Sequence, residues 1–371
     1  MAKVYFDSVS STNVDEEVLN TYKQLLDKYY CNSDALYDDG VAIYDMQEKA
    51  RENIASLLNV EKEEVIFTSG ASESNSTAIK GVALAQKERK HIISTVEEHH
   101  SLLNALMQLE ENFDYEVTYI KPNQNGVINP EEIKNALRKD TILVSVMACN
   151  NELGLINDIN EIKKIVKANP GTYFHCDVTQ AIGKIDIDFK DIDLASMSAH
   201  KIHGLKGSGL LIKKKHVKLL PLINGGQQEF ALRGGTSNAL VNIVLAKTLR
   251  LALERQNHFH DSLVEMNRYF VNKLNEIDKV KVNVFKNSLP TLISITTTIT
   301  SEVMLNALNL KGIMVSSKST CGSRKNSSNL TLDALNIDSD HSIRISFDYL
   351  NTKEEIDYFI DCLKEIVSKY G

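Results

Sequence analysis

No run of apolar residues in this sequence is long enough to span a bilayer, and the opening Met1-Ala2-Lys3-Val4-Tyr5-Phe6-Asp7 lacks the apolar stretch of a signal peptide. Membrane insertion is not expected, and a cytoplasmic location is. Like charge never extends beyond the short Lys213–Lys215 run in a chain of net charge −7, so there is no basic footprint for direct contact with nucleic acid. The five cysteines, at 31, 149, 176, 321 and 362, show no Cys-x-x-Cys or other metal-ligand spacing, and their odd number argues against a disulfide framework in a reducing compartment. No metal is expected, and at least one thiol is open to chemical use. What is present suffices for a large core: 371 residues, 43% hydrophobic and 25% charged, read as one big domain plus a smaller one.

Apolar, β-rich runs at Glu64–Thr68, His91–Thr95, Tyr115–Ile120, Thr141–Met147, Thr172–Cys176 and Leu194–Ser198 alternate with amphipathic stretches at Asn75–Gln86, Ser101–Glu111, Pro130–Arg138 and Ile159–Lys167. Such alternation predicts an α/β fold with a mainly parallel sheet flanked by helices. A helical stretch from Asn238 to about Phe259 reads as the connector into a second region, Asp261–Gly371, with strands near Thr291–Thr296 and Ser342–Phe347 and a terminal helix from Lys353. Residues 316–329, polar throughout, read as a mobile loop.

Three segments carry chemistry. Thr68-Ser69-Gly70-Ala71-Ser72-Glu73-Ser74-Asn75 leaves a strand and opens a helix, where backbone N–H groups and hydroxyls suit an anion; the same residues also serve as an ordinary helix cap. Asp177 arrives at the end of an apolar strand, where open α/β sheets place ligands, although an Asp also begins many loops. Lys201 follows the strand ending at Ser198 and is flanked by small, hydroxylic and imidazole side chains. Desolvation there would free its amine to attack an aldehyde, whereas a surface lysine is merely solvated. In combination the three answer the demands of pyridoxal 5′-phosphate: donors for the phosphate, a carboxylate to keep the pyridine nitrogen protonated, and a lysine for the Schiff base.

With Glu98-His99, Asn150-Asn151-Glu152-Leu153-Gly154, Asp177-Val178-Thr179-Gln180, Ser198-Ala199-His200-Lys201 and Arg233-Gly234-Gly235-Thr236 added in that order, the chain resembles the cysteine desulfurases over nearly its full length. These belong to the class V aminotransferase group of fold-type I pyridoxal-phosphate enzymes. The resemblance implies a large cofactor domain over 16–258 and a smaller α+β domain from 1–15 and 259–371, which carries the loop. It implies that Ala71, Ser72, Ser198 and His200 hold the phosphate and that Thr236 reaches the phosphate of a neighbouring subunit, hence a homodimer. It assigns His99 to stacking and proton transfer, Gln180 to the phenolic oxygen, Asn151 to cofactor and substrate carboxylate, and Arg344 to that carboxylate. Cys321, with Lys318, Arg324 and Lys325 nearby to favour its thiolate, takes the place of the nucleophile. The implied reaction turns L-cysteine into L-alanine and leaves a persulfide on Cys321 for an acceptor protein, an iron–sulfur scaffold or a tRNA-thiolation enzyme. Cys149 and Cys176, on expected strands, read as packing residues.

The segments Ser8–Thr12 and Asn32–Tyr37 depart from the family pattern, the second lacking its Pro and His. Two other readings stand beside the desulfurase: another class V activity, such as an aminotransferase or selenocysteine lyase, which would use Lys201 and Asp177 in the same way and need no mobile thiol, and a weakly active interaction protein of sulfur pathways, suggested by these altered segments.

Overall fold

The computed structural model describes residues 3–86, 88–317 and 329–371. Strand β1 (Val4–Tyr5) is followed by helices α1 (Glu16–Lys28) and α2 (Asp38–Leu58). Asp15 caps α1 by accepting from the Glu17 and Val18 N–H groups, and Glu16 and Glu17 place negative charge at the positive end of the helix dipole. Strand and helix then alternate: β2 (Val65–Thr68), α3 (Ala71–Ala85), β3 (His91–Thr95), α4 (His100–Phe113), β4 (Glu116–Ile120), α5 (Pro130–Ala136), β5 (Thr141–Ser145), α6 (Ile159–Lys167), β6 (Tyr173–Asp177), β7 (Leu194–Ser198) and β8 (Gly209–Lys213). Asn129 caps α5 and Pro130 opens it, where a missing N–H costs nothing. In α6 the buried Ile159, Ile162 and Val166 recur at helical spacing and turn one face to the sheet.

These strands form a seven-stranded sheet in the order β2-β8-β7-β6-β5-β3-β4. The pairs among β7, β6, β5, β3 and β4 are parallel, and β8 runs antiparallel to both neighbours. Strands β3, β5 and β7 are buried along their whole length, as expected where helices cover both faces of a parallel sheet. The mainly parallel α/β architecture agrees with the sequence reading, and strand β8 is an addition to it.

The long helix α7 (Ala239–Asn275) leads to β9 (Val280–Asn283), β10 (Leu292–Thr297), α8 (Ser301–Leu310), β11 (Ile313–Met314), α9 (Leu330–Ala334), β12 (Ser342–Ser346) and α10 (Lys353–Tyr370). Strand β10 pairs antiparallel with β9 and β12, while β1 lies parallel to β11 and Asp7 bridges to Ser346. Phe6 from the chain start packs its ring 5.4 Å from Phe270 and 5.7 Å from Phe359, so both ends of the sequence share a second core. Helix α7 does not stop near Phe259: Leu263, Met266, Phe270 and Leu274 keep helical spacing and carry it onto that second core. The boundary expected after residue 258 thus falls inside a continuous helix.

Candidate active site

Strand β2 delivers the chain to a tight entry into α3. Gly70, at φ 146°, holds a conformation that side-chain-bearing residues rarely adopt, and it precedes the first helical residue, Ala71. On its other side β8 comes so close that a Cβ on Gly209 would lie 2.5 Å from the Gly70 Cα. The helix N-terminus therefore opens directly above the end of β7, where the N–H groups of its first turn have no carbonyl partner within the helix. Glu73 accepts from Ser69 N–H at 2.8 Å and from Arg233 Nε at 3.0 Å, fixing the lip of this entry.

Asp177 ends β6 as a buried carboxylate. It accepts from Thr179 N–H at 2.9 Å and from Asn75 Nδ2 at 2.8 Å. The same Asn75 amide donates to Ser101 Oγ at 3.0 Å, and Ser101 meets His99 Nδ1 through both its hydroxyl, at 2.9 Å, and its N–H, at 3.1 Å. Because Nδ1 accepts the backbone N–H, the neutral imidazole carries its proton on Nε2. Burial pushes the His99 imidazole below the ordinary histidine range; Asp177 opposes this shift, and Lys201 and His100 add to it. The ring is neutral at physiological pH.

Beyond β7 a single turn of 3₁₀ helix, Ala199–Lys201, brings Lys201 into the space between Asp177 and the chain start. Its Nζ donates to the carbonyls of Val9, at 2.6 Å, and Ser10, at 2.8 Å. The altered segment Ser8–Thr12 is thus part of the site, through the Val9 and Ser10 carbonyls and the Ser10 hydroxyl. His200 is pushed down to about 4 by burial and by the nearby Lys201, Lys206 and His99. Gln180 donates through Nε2 to Val9 O at 3.1 Å. Arg344, on β12, donates to Asn151 O at 2.8 Å and Ser10 Oγ at 2.8 Å and pairs with Asp7 at 3.2 Å and Glu152 at 3.4 Å; its buried Nε has no partner among the described residues.

Ala71, Ser72, His99, Asn151, Asp177, Gln180, Ser198, His200, Lys201 and Arg344 all line one cavity of about 480 Å³. Thr236 does not line it and is exposed. Cys321, and Lys318, Arg324 and Lys325 with it, lie outside the described residues, as does most of the loop expected at 316–329. Its described ends flank the cavity: Ser316 pairs by backbone with Arg344, and Asn329 shares a small cleft with His99 and Asn151. Cys149 and Cys176 are buried in the main core, as expected of packing residues, and burial pushes the Cys149 thiol up to about 12. Sequence reasoning missed Asn75 as the partner of Asp177, and Met147, Thr179 and Lys206 as cavity residues. The signal for Asn75 was there: it stands four residues after Ala71, on the same face of α3.

The cavity suits pyridoxal phosphate on structural grounds alone. The N-terminus of α3, with Ser72 and Ser198, a buried carboxylate that suits a pyridinium, and the Lys201 amine all line one cavity, and the N–H groups of that helix terminus suit a phosphate. The comparisons agree. The class V aminotransferase family profile matches residues 4–359. Cysteine desulfurase IscS of Dictyoglomus turgidum is 37% identical, covering 99% of this chain and 95% of that protein, and its namesake from Methanosarcina thermophila is 36% identical over 99% and 92%. A solved NifS-like protein superposes with a TM-score of 0.93 at 34% identity, covering 99% of this chain and all of its own. The structure of SspA in complex with cysteine gives 0.82 at 32% identity, covering 93% of this chain and 99% of its own. The chain belongs to the class V aminotransferase family and, within it, to the pyridoxal-phosphate-dependent cysteine desulfurases.

Proposed function

We propose that this chain takes sulfur from L-cysteine, releases L-alanine and holds the sulfur as a persulfide on Cys321 for an acceptor protein in the cytoplasm. The observation that carries the reading is one cavity lined by Lys201, Asp177 and Arg344 together: an amine, a fixed carboxylate and a clamp for an amino-acid carboxylate. Bound pyridoxal phosphate supplies an electron sink for the charge left at the substrate Cα. Ala71, Ser72, Ser198 and His200 would hold its phosphate, Asp177 its protonated ring nitrogen, and Gln180 its phenolic oxygen.

The protein's own groups then divide the work. Arg344, whose Nε has no partner among the described residues, and Asn151 would bind and orient the substrate carboxylate. Lys201 would take the proton from Cα, and the neutral His99, bearing hydrogen on Nε2, would assist proton movement. The Cys321 thiolate attacks the substrate sulfur. A bond forms between the two sulfurs, the substrate Cβ–S bond breaks, a proton enters at Cβ and Lys201 returns one to Cα, so that alanine leaves and the extra sulfur stays on Cys321. The acceptor belongs to iron–sulfur assembly or tRNA thiolation, and the loop bearing Cys321 would make the delivery.

A homodimer accompanies this reading. Tyr30 and Leu36 are 93% and 94% exposed, and Tyr37 and Tyr44 are about half exposed. This apolar surface adjoins the Thr236 segment, since Asp34 accepts from Gln228 at 2.7 Å and Gln47 from Ser237 at 2.6 Å. A second copy seated there would receive Thr236 at its phosphate site. The test of the activity is incubation of the holoenzyme with L-cysteine, followed by mass analysis of Cys321 and assay of alanine. A gain of one sulfur on Cys321 is expected, and Cys321→Ser should keep the yellow cofactor absorption while losing sulfide release. Unaltered turnover of Cys321→Ser in the presence of dithiothreitol would remove the nucleophile from this scheme.

A further inference from the structure

Lys184 stands four residues after Gln180, across the turns that follow β6. Its Nζ donates to Gln180 Oε1 at 3.0 Å, while Gln180 Nε2 donates to Val9 O, the carbonyl that also accepts from Lys201. Lys184 does not line the cofactor cavity. It lines a second, smaller one of about 80 Å³ on the far side of Lys201, together with His203, Arg255 and Asp348.

An amide has one acceptor end and one donor end, and the two are nearly isosteric, so its orientation is set by its partners. An ammonium has donors only. With Lys184 behind it, Gln180 must turn its oxygen backward, because the flipped amide would set NH2 against NH3⁺. One of the two Gln180 N–H bonds goes to Val9 O, and the other is left for the cofactor cavity. We propose that Lys184 is a positioning residue, which locks the Gln180 amide so that it offers an N–H, never an oxygen, to the phenolic oxygen of bound pyridoxal phosphate. This rests on the assignment of Gln180 to that oxygen. Burial pulls the Lys184 ammonium down to about 8, with Cys149 and Asp348 opposing the shift, so the charge is present at neutral pH and is lost only in mildly alkaline solution. Lys201, His203, Arg255 and His260 are the other basic groups around the same cavity.

The test compares holoenzymes of Lys184→Met, Lys184→Arg, Gln180→Ala and the Lys184→Met/Gln180→Ala pair by absorbance titration of the bound cofactor and by cofactor affinity. The hydrogen bond at stake involves a charged oxygen, so Lys184→Met should weaken cofactor binding about tenfold. It should also shift the pH midpoint of the absorbance change in the same direction as Gln180→Ala. Lys184→Arg should restore the parent midpoint, and the double substitution should move it no further than Gln180→Ala alone, the mark of two residues acting through one contact. An unshifted midpoint in Lys184→Met beside a shifted one in Gln180→Ala, or additive shifts in the pair, would overturn the positioning role. An unshifted midpoint in Gln180→Ala would instead show that Gln180 does not reach the cofactor, and the proposal would fall with that assignment.

Discussion

At the scale of single residues, the site is a set of groups whose ordinary charge has been adjusted by burial and whose orientation is held by neighbours. Asp177 accepts two hydrogen bonds, and His99 is kept neutral beside it. Directly next to His99, Glu97 and Glu98 are buried, each with one carboxylate oxygen lacking a partner among the described residues. Burial pushes Glu97 up to about 7 from its ordinary 4.5, against the opposing hydrogen bond from Asn157. The sign follows from proton binding: between those two values the folded chain keeps a proton that the unfolded chain has released, so stability falls as pH rises through the window. The loss is complete above the folded value and amounts to about 3 kcal/mol. Glu97→Gln keeps an acceptor for Asn157 and never ionises, so it should gain about that much over the parent between mildly acidic and mildly alkaline pH. Denaturant midpoints measured across the range check this, and parallel pH curves for the two proteins would count against it. Little of this was legible in the sequence. Glu98-His99 could be picked out as a motif, but whether a carboxyl is solvated or enclosed depends on what packs over it.

At the scale of elements, the sequence was most informative where a local rule sufficed. Strands His91–Thr95 and Leu194–Ser198 and helix Ile159–Lys167 lie where their patterns put them, because a short β-rich run between helical stretches or a regular apolar stripe leaves little choice. Strand β8 escaped notice, since its run is short, opens on Gly209 and ends in lysines; its place is fixed by pairing with β2 and β7, which no local pattern records. The start of α3 shows the same division. Its anion-binding character could be read from Ser and Gly at a strand-to-helix turn, but the approach of Gly209 to Gly70 could not. That approach yields a prediction. A side chain at Gly70 meets a positive φ of 146° and sits 3.2 Å from Ser198 Oγ, so Gly70→Ala should cost about 1–3 kcal/mol of stability. It should also release pyridoxal phosphate on dialysis, as the N-terminus of α3 tilts away from Ser198. A variant with parent melting temperature and parent cofactor retention would show that this entry tolerates a side chain.

At the scale of the whole molecule, the cavity exists because two cores meet. The main sheet supplies Asp177, Ser198 and the turn to Lys201, the second core supplies Arg344, and the chain start, tied to that second core through Phe6, supplies the carbonyls that hold Lys201. Helix α7, about 55 Å long at 1.5 Å per residue, runs through both. The sequence could not place Val9 and Ser10 here, since that contact joins residues nearly two hundred positions apart. Nor is one copy sufficient in the proposed reading, because Thr236 lies outside its own cavity while the apolar surface of Tyr30, Leu36 and Tyr37 stands open beside it. Exposed side chains of this size raise solubility problems unless a partner covers them. Leu36→Asp with Tyr37→Asp should therefore halve the mass seen in sedimentation and weaken cofactor retention along with it, since each subunit would lose its neighbour's Thr236. Thr236→Ala should weaken retention and leave the mass unchanged. If the Leu36 and Tyr37 substitutions kept the parent mass, the second copy would not sit on this face; if they halved the mass with retention intact, each site would be complete within its own chain.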